Sequence, residues 1–317
     1  FGQYAKLPID VKKDNVDLYF TNTMKSLNDN VYGLTSVKEE IVTYLAQCLT
    51  TKNPSPRIIA LYGPPGTAKT KIIREGISKA LNRPMNSFSM GGIKDSSHFV
   101  GFDYTYMNSK YGMIVQSLID SKIMNPIIFF DELDKISKGS DGEEIENLLI
   151  HLTDPVQNYE FRDKYFSELN IDISKIVFIF AFNNIDNISP ILKDRLHIIN
   201  IPIVSAKEKV IITRNYIIDE LLKNIGLNKN DFTISDEVLM YIIEKYSNVD
   251  GLRSIKRCIE TILLKINTIK LLGCSIKDMN FSFSKNYTFP IEIDNTMVEL
   301  FLKEHNNKEM CNLHMYM

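Results

Sequence analysis

The sequence predicts an α/β fold: a parallel sheet flanked by helices, followed by a small and mostly helical C-terminal domain. Three observations carry that expectation. Apolar β-type runs alternate with helical spacings between residues 58 and 201. A glycine-rich loop, GPPGTAKT at 63–70, stands between such a run and a helical pattern. A continuous apolar run at 127–130 delivers two acids, Asp131 and Glu132, at its end, where open α/β sheets hold ligands.

Taken in order, residues 17–50 are expected to be helical, since Val16, Phe20, Met24 and Leu27, then Val37, Ile41 and Leu45, recur at helical spacing. Tyr32-Gly33 interrupts them. Residues 52–56, KNPSP, form a linker into the first strand, 58–61. The next helix shows in Ile72, Ile73, Ile77 and Leu81. Further strands are expected at 85–90, 127–130, 176–181 and 198–201, with helices at 111–123 and 143–152. After Pro202 the pattern becomes helical, at 205–224, 235–247 and 251–270, with few β signals. Residues 273–293 are less regular and hold two short β-type pieces, FSFS and FPIEI, before a last helix at 294–304. The expected domains are an N-terminal helical lead-in (1–51), a large α/β nucleotide-binding domain (52–204), a small helical lid domain (205–304) and a tail (305–317).

The loop 63–70 has the strand–loop–helix setting that phosphate binding requires. Backbone N–H groups of the loop, at every position but Pro64 and Pro65, can wrap phosphates, and the helix N-terminus adds partial positive charge. The ligand-facing residues are Gly63, Pro64, Pro65, Gly66, Thr67, Ala68, Lys69 and Thr70. Lys69 is suited to the β- and γ-phosphates, and the Thr70 hydroxyl to Mg²⁺. The glycine usual before the lysine is Ala68 here, whose methyl group restricts the backbone. We take it as a tolerated variant. Downstream, Asp131 is suited to hold Mg²⁺, directly or through water, and Glu132 to polarise an attacking water as general base.

Composition excludes several classes. In 317 residues, 44% hydrophobic and 24% charged content is ordinary for a soluble globular protein. A formal net charge of −2 gives no electrostatic case for nucleic acid. No apolar run reaches the ~20 residues of a membrane span. Cys48, Cys258, Cys274 and Cys311 lack paired spacing, so reduced thiols in an intracellular, soluble protein are expected. Cys311 with His305 and His314 lies on a polar tail and is not expected to bind metal. Residues 1–16 hold no signal-peptide core, and the start at Phe1 suggests a processed chain or an excised piece.

Further segments stand in a fixed order around the loop. They are YGLTSVKEEIVTYLA at 32–46, FSMGGIKDSSHFVGFDYTYMNSKYGMIVQSL at 88–118, FFDELDKIS at 129–137, LTDPVQNYEFRDKYF at 152–166, PILKDRLHIINIP at 190–202 and DGLRSIKR at 250–257. In this arrangement, residues 17–304 resemble the AAA+ ATPase module of the Lon protease family. The resemblance implies an AAA+ P-loop NTPase core that uses ATP and Mg²⁺, assembles as a homo-oligomeric, hexameric ring, and moves a polypeptide client. It implies that Asn183 is the amide that orients water against the γ-phosphate, with Asn184 as its rival. Arg195 resembles the finger inserted into a neighbour's site, against an ordinary salt-bridge arginine. Arg253 resembles the nucleotide sensor of the small domain, with Arg257 competing on the same helix. Tyr32 and Gly33 resemble the adenine-pocket segment, although a capping turn would use the same residues. Tyr106 and Met107 occupy the place of the client-gripping pore loop, whose glycine is replaced by Asn108; core packing of Tyr106 is the alternative. The chain contains no segment resembling the family's GPSAG serine motif, so peptidase activity is not expected from it. Two alternatives stay open: an ATP-binding scaffold with little turnover, and the ATPase part of a longer ATP-dependent protease.

Overall fold

A computed structural model of the chain describes residues 2–5, 13–50, 58–93, 95–137, 139–246, 251–273 and 287–303. The expected linker at 52–56, the FSFS piece, Cys274 and the His305, Cys311, His314 trio lie outside the described residues. The chain divides into two compact units, Phe1–Pro64 with Ala68–Pro202, and Pro65–Thr67 with Ile203–Met317.

In the first unit, helices Lys13–Asn30 and Thr35–Thr50 precede strand β1, Ile58–Tyr62. A helical run follows, Lys69–Lys71, then a π-helical stretch Ile72–Ser78, then Lys79–Leu81. Next come β2 (Met85–Ser89), helix Met113–Ser121, β3 (Ile127–Asp131) and helix Ser140–Thr153. A short antiparallel hairpin, β4 (Phe161–Arg162) and β5 (Asn170–Ile171), leads to β6 (Val177–Phe182), helix Pro190–Arg195 and β7 (Leu196–Asn200). The five-stranded sheet has the order β2-β3-β6-β1-β7, and every pairing is parallel.

Side chains alternate between the two faces of a strand. Ile59, Leu61, Ile127, Phe129, Val177, Ile179 and Ala181 therefore share one face, packed with Leu27, Ile41 and Leu45 of the first two helices and with Ile73 and Ile77. The lead-in helices thus form a wall of the sheet's own core. Ile58, Ala60, Ile128, Phe130, Phe178, Phe180 and Phe182 share the other face, against Ile114, Leu118, Ile145, Leu149 and Leu192. Burial on both faces explains why these strands are continuous apolar runs without polar alternation. Each fully buried side chain of this size contributes about 1.5–3 kcal/mol. The rings of Phe130 and Phe180 stack at 5.1 Å.

In the second unit, a Ser205–Glu208 capping box starts helix Ala206–Ile212, which continues through a π-helical Thr213–Ile217 into Ile218–Ile225. Helices Asp236–Tyr246 and Arg253–Leu272 follow, and a last helical stretch covers 295–303. Lys245 ties two of these together through Glu299 and Tyr241, and Lys265 Nζ donates to Phe301 O at 2.7 Å. One strand here is not among the sequence expectations. Strand β8, Phe232–Ile234, pairs in parallel with β9, Ile291–Ile293. The second lies in the FPIEI piece. The first is only three residues long and its partner is distant in sequence, so local periodicity does not mark it.

Candidate functional site

Strand register assembles the site. β1 and β6 pair Tyr62 with Phe182, so the residues that follow, Gly63 and Asn183, leave the sheet side by side. Gly63 N–H donates to Phe182 O at 3.3 Å. A Cβ on Gly63 would lie 2.6 Å from Ile201 O, so only glycine fits between the strand ends. β2 and β3 pair Ser89 with Asp131, and β3 lies against β6. Residues from four loops therefore meet at the C-terminal edge of the sheet.

Lys69 is the centre of this cluster. Its side chain is buried, and Nζ donates to Gly63 O (2.7 Å), Pro64 O (2.9 Å) and Asn183 Oδ1 (2.7 Å). Thr70 Oγ1 lies 3.4 Å from Asp131 Oδ2, while Asp131 Oδ1 accepts the Glu132 N–H at 2.9 Å. Burial pushes the Asp131 carboxyl above its usual range, and the neighbouring Glu132 charge acts in the same direction. The Glu132 N–H, Lys69 and Thr70 oppose them. Glu132 itself turns the chain in the left-handed region, with φ 58. Its Oε2 accepts from Ser89 Oγ at 2.8 Å. Among the described residues no cluster of three His, Cys, Asp or Glu side chains could hold a metal alone. The adjacent Thr70 hydroxyl and Asp131 carboxylate instead form an oxygen pair of the kind Mg²⁺ uses when phosphates and water complete its shell.

Two contacts of this site escaped sequence reasoning. Ser89 holds Glu132, and the buried Asp134 accepts the Asn183 N–H at 3.2 Å. The one available signal was position: Ser89 ends a strand and Asp134 follows the acid pair, but neither type implies its partner. Asn184, the rival of Asn183, instead caps the next turn by accepting the Asp186 N–H at 2.9 Å.

Ala68 adopts φ 65 and ψ 21, the left-handed conformation that glycine would enter without strain. An L-residue there carries about 1–2 kcal/mol of local strain. Against this, glycine has a more flexible unfolded chain, worth about 0.4–1 kcal/mol. Ala68→Gly is therefore expected to stabilise the fold by up to about 1.6 kcal/mol. Thermal melts of both proteins would check this; a lower melting temperature for Ala68→Gly would show that the methyl group makes a packing contact that outweighs the strain.

The remaining site residues lie elsewhere. Tyr32 and Gly33 form the turn between the first two helices, with Gly33 at φ 62. Arg195 ends helix Pro190–Arg195, where its guanidinium reaches Asp154 Oδ2 and Ile150 O, each at 3.4 Å. Arg253 opens helix Arg253–Leu272 of the second unit, and both it and Arg257 are exposed. Tyr106 is 69% and Met107 95% exposed, which excludes core packing of Tyr106 in this chain. Asn108, standing where the family has glycine, takes φ 63, a left-handed turn that asparagine tolerates.

Comparison with known proteins bears on the family. Residues 59–203 match the family model for the ATPase family associated with various cellular activities (AAA), and residues 223–278 match the Lon protease AAA+ ATPase lid domain. The chain belongs to the AAA+ ATPases. Within them it is a Lon-type ATPase module. It is 40% identical over 250 residues to a Lon protease homolog of Acanthamoeba polyphaga mimivirus, covering 78% of this chain and 24% of that protein. It is 36% identical over 277 residues to the Lon protease of Helicobacter pylori, covering 84% and 32%. It is 34% identical over 250 residues to the mitochondrial Lon protease homolog of Drosophila melanogaster, covering 79% and 24%. The chain spans about a quarter to a third of the length of these relatives. Among the described residues no helix is long and apolar enough to cross a membrane.

Proposed function

We propose that this chain hydrolyses ATP with Mg²⁺ and, as a homo-hexameric ring inside the cell, uses the cycle to unfold and translocate polypeptides. The observation that carries this reading is the convergence of Lys69, Thr70, Asp131, Glu132 and Asn183 at one edge of the sheet. The proposed domains are the lead-in 1–51, the large domain 52–204, the lid 205–304 and the tail 305–317.

In this reading the loop of Gly63, Pro64, Pro65, Gly66, Thr67 and Ala68 cradles the phosphates, the two prolines shaping the turn and the other residues donating backbone N–H groups. Phosphate oxygens replace the carbonyls that Lys69 Nζ now contacts. Thr70 and Asp131 hold Mg²⁺, which neutralises charge on the phosphates. Glu132 takes a proton from the attacking water, and Asn183 orients that water. Tyr32 and Gly33 border the adenine, Arg253 reports nucleotide state from the lid, and Arg195 serves a neighbour's site. A folded client is stable by about 5–15 kcal/mol, so its unfolding must draw on hydrolysis.

Sizing the purified chain with and without ATP, while following phosphate release, tests the reading. ATP-dependent assembly with sustained turnover supports it. Nucleotide binding and assembly without turnover would favour a scaffold.

Tyr106 and Met107 are proposed to grip the client. Tyr106→Ala is then expected to keep the parent melting temperature, because an exposed ring contributes little packing. Stimulation of hydrolysis by unfolded casein should disappear. A large drop in melting temperature, typical of the ~3–5 kcal/mol cost of truncating a packed aromatic, would remove Tyr106 from the channel.

A further inference from the structure

The exposed loop that carries Tyr106 and Met107 is held at its neck. Phe102 N–H donates to Lys110 O at 3.1 Å and closes the neck. Immediately beyond it, Gly112 N–H donates to Asp163 Oδ2 at 2.8 Å. Asp163 belongs to the hairpin segment of β4 and β5, 51 residues further along the chain. Its side chain is fully buried, with 0% exposure. The other carboxylate oxygen, Oδ1, accepts the Tyr165 N–H at 2.9 Å. Beside it, Lys164 N–H donates to Val100 O at 2.7 Å. The Tyr111 ring stacks on Phe166 at 6.0 Å and meets Tyr165 edge-on at 6.2 Å.

Close packing shows how tightly this junction is built. Gly101 lies at φ 78, and a Cβ there would sit 2.8 Å from Asp163 Oδ1 and 2.8 Å from Gly112 N. Burial pushes the Asp163 carboxyl up, while the N–H groups of Gly112, Tyr165 and Phe166 favour its charged form. Removing a carboxylate from water is costly, and here backbone donors from two separate segments offset that cost. An apolar residue would fill the space but could not join those donors.

We propose that Asp163 is the positioning residue of the client-gripping loop: its buried carboxylate staples the neck of the loop 101–112, at Gly112, to the β4–β5 segment, so that Tyr106 and Met107 are presented on a fixed base. This rests on the reading of the loop as a polypeptide grip. Asp163 contacts neither the nucleotide cluster nor the loop tip, so it acts on grip only through the neck.

The test uses the full chain with Asp163→Ala and the volume-conserving Asp163→Asn, whose amide turns a donor toward one backbone N–H. Amide hydrogen exchange and the ratio of ATP turnover with and without unfolded casein are measured on each. Losing a hydrogen bond to a charged acceptor should speed exchange at 101–112 by about 10–100-fold. Exchange in β1, β3 and β6 should stay as in the parent, and the casein ratio should fall toward one. Unchanged exchange at Gly112 overturns the proposal. So does acceleration spread evenly over the whole unit, which would mark an ordinary structural role. Faster neck exchange with an intact casein ratio overturns it too. A parent chain that casein does not stimulate would instead refute the grip reading, while the exchange measurement still judges the staple. If Asp163→Ala fails to fold, Asp163→Asn supplies both readouts.

Discussion

Glu132→Gln is expected to bind ATP as the parent does and to hydrolyse it about 10²–10⁴-fold more slowly. The two side chains have the same shape, so the left-handed turn at residue 132 is undisturbed and the amide oxygen can keep the bond from Ser89 Oγ. What is lost is proton affinity: an amide is too weak a base to take a proton from water. Lys69 and Thr70 sit on a different element, and phosphate binding should not depend on residue 132. Equilibrium nucleotide binding and single-turnover phosphate release separate the two effects. Hydrolysis at the parent rate would remove Glu132 as general base. A matching loss of Mg²⁺-dependent binding would instead make it a metal ligand.

Arg195→Ala is expected to lower hydrolysis by about 10³–10⁵-fold, and only in the assembled state. A cation placed on the transferred phosphoryl group stabilises charge that develops in the transition state, and in this reading it arrives from the adjacent subunit. Within its own chain Arg195 is not locked. Its contacts to Asp154 and Ile150 O, both at 3.4 Å, lie at the long end of hydrogen-bonding range, and its side chain remains 31% exposed. The Asp154 carboxyl is held below its usual range first by the Val156 N–H, with Arg195 adding a smaller share. Mixing Arg195→Ala with Glu132→Gln subunits should restore part of the activity, because some mixed interfaces pair an intact Glu132 with an intact Arg195. Equal turnover per subunit for parent and Arg195→Ala in the ring, or turnover that persists at dilutions where the ring dissociates, would contradict the assignment.

The amino-acid sequence alone determined the local elements and the chemistry they carry. The strands were legible because burial on both faces demands unbroken apolar runs, as at Ile127-Ile128-Phe129-Phe130. The loop was legible because a glycine- and proline-rich turn stands between an apolar run and a helical pattern and ends in Lys69 and Thr70. The helices of the second unit followed from their 3.6-residue period. Tertiary structure decided which of these meet. Strand order brought Gly63 beside Asn183 and Ser89 beside Asp131, so that Lys69 reaches Asn183 and Ser89 reaches Glu132. It also joined β8 to β9, gave Ala68 its left-handed backbone, and set Asp163 beneath the loop of Tyr106. The physical reason is common to all of them. Periodicity reports which face of an element is buried, whereas pairing between distant segments is chosen by how those faces close one core, and no local pattern records that choice.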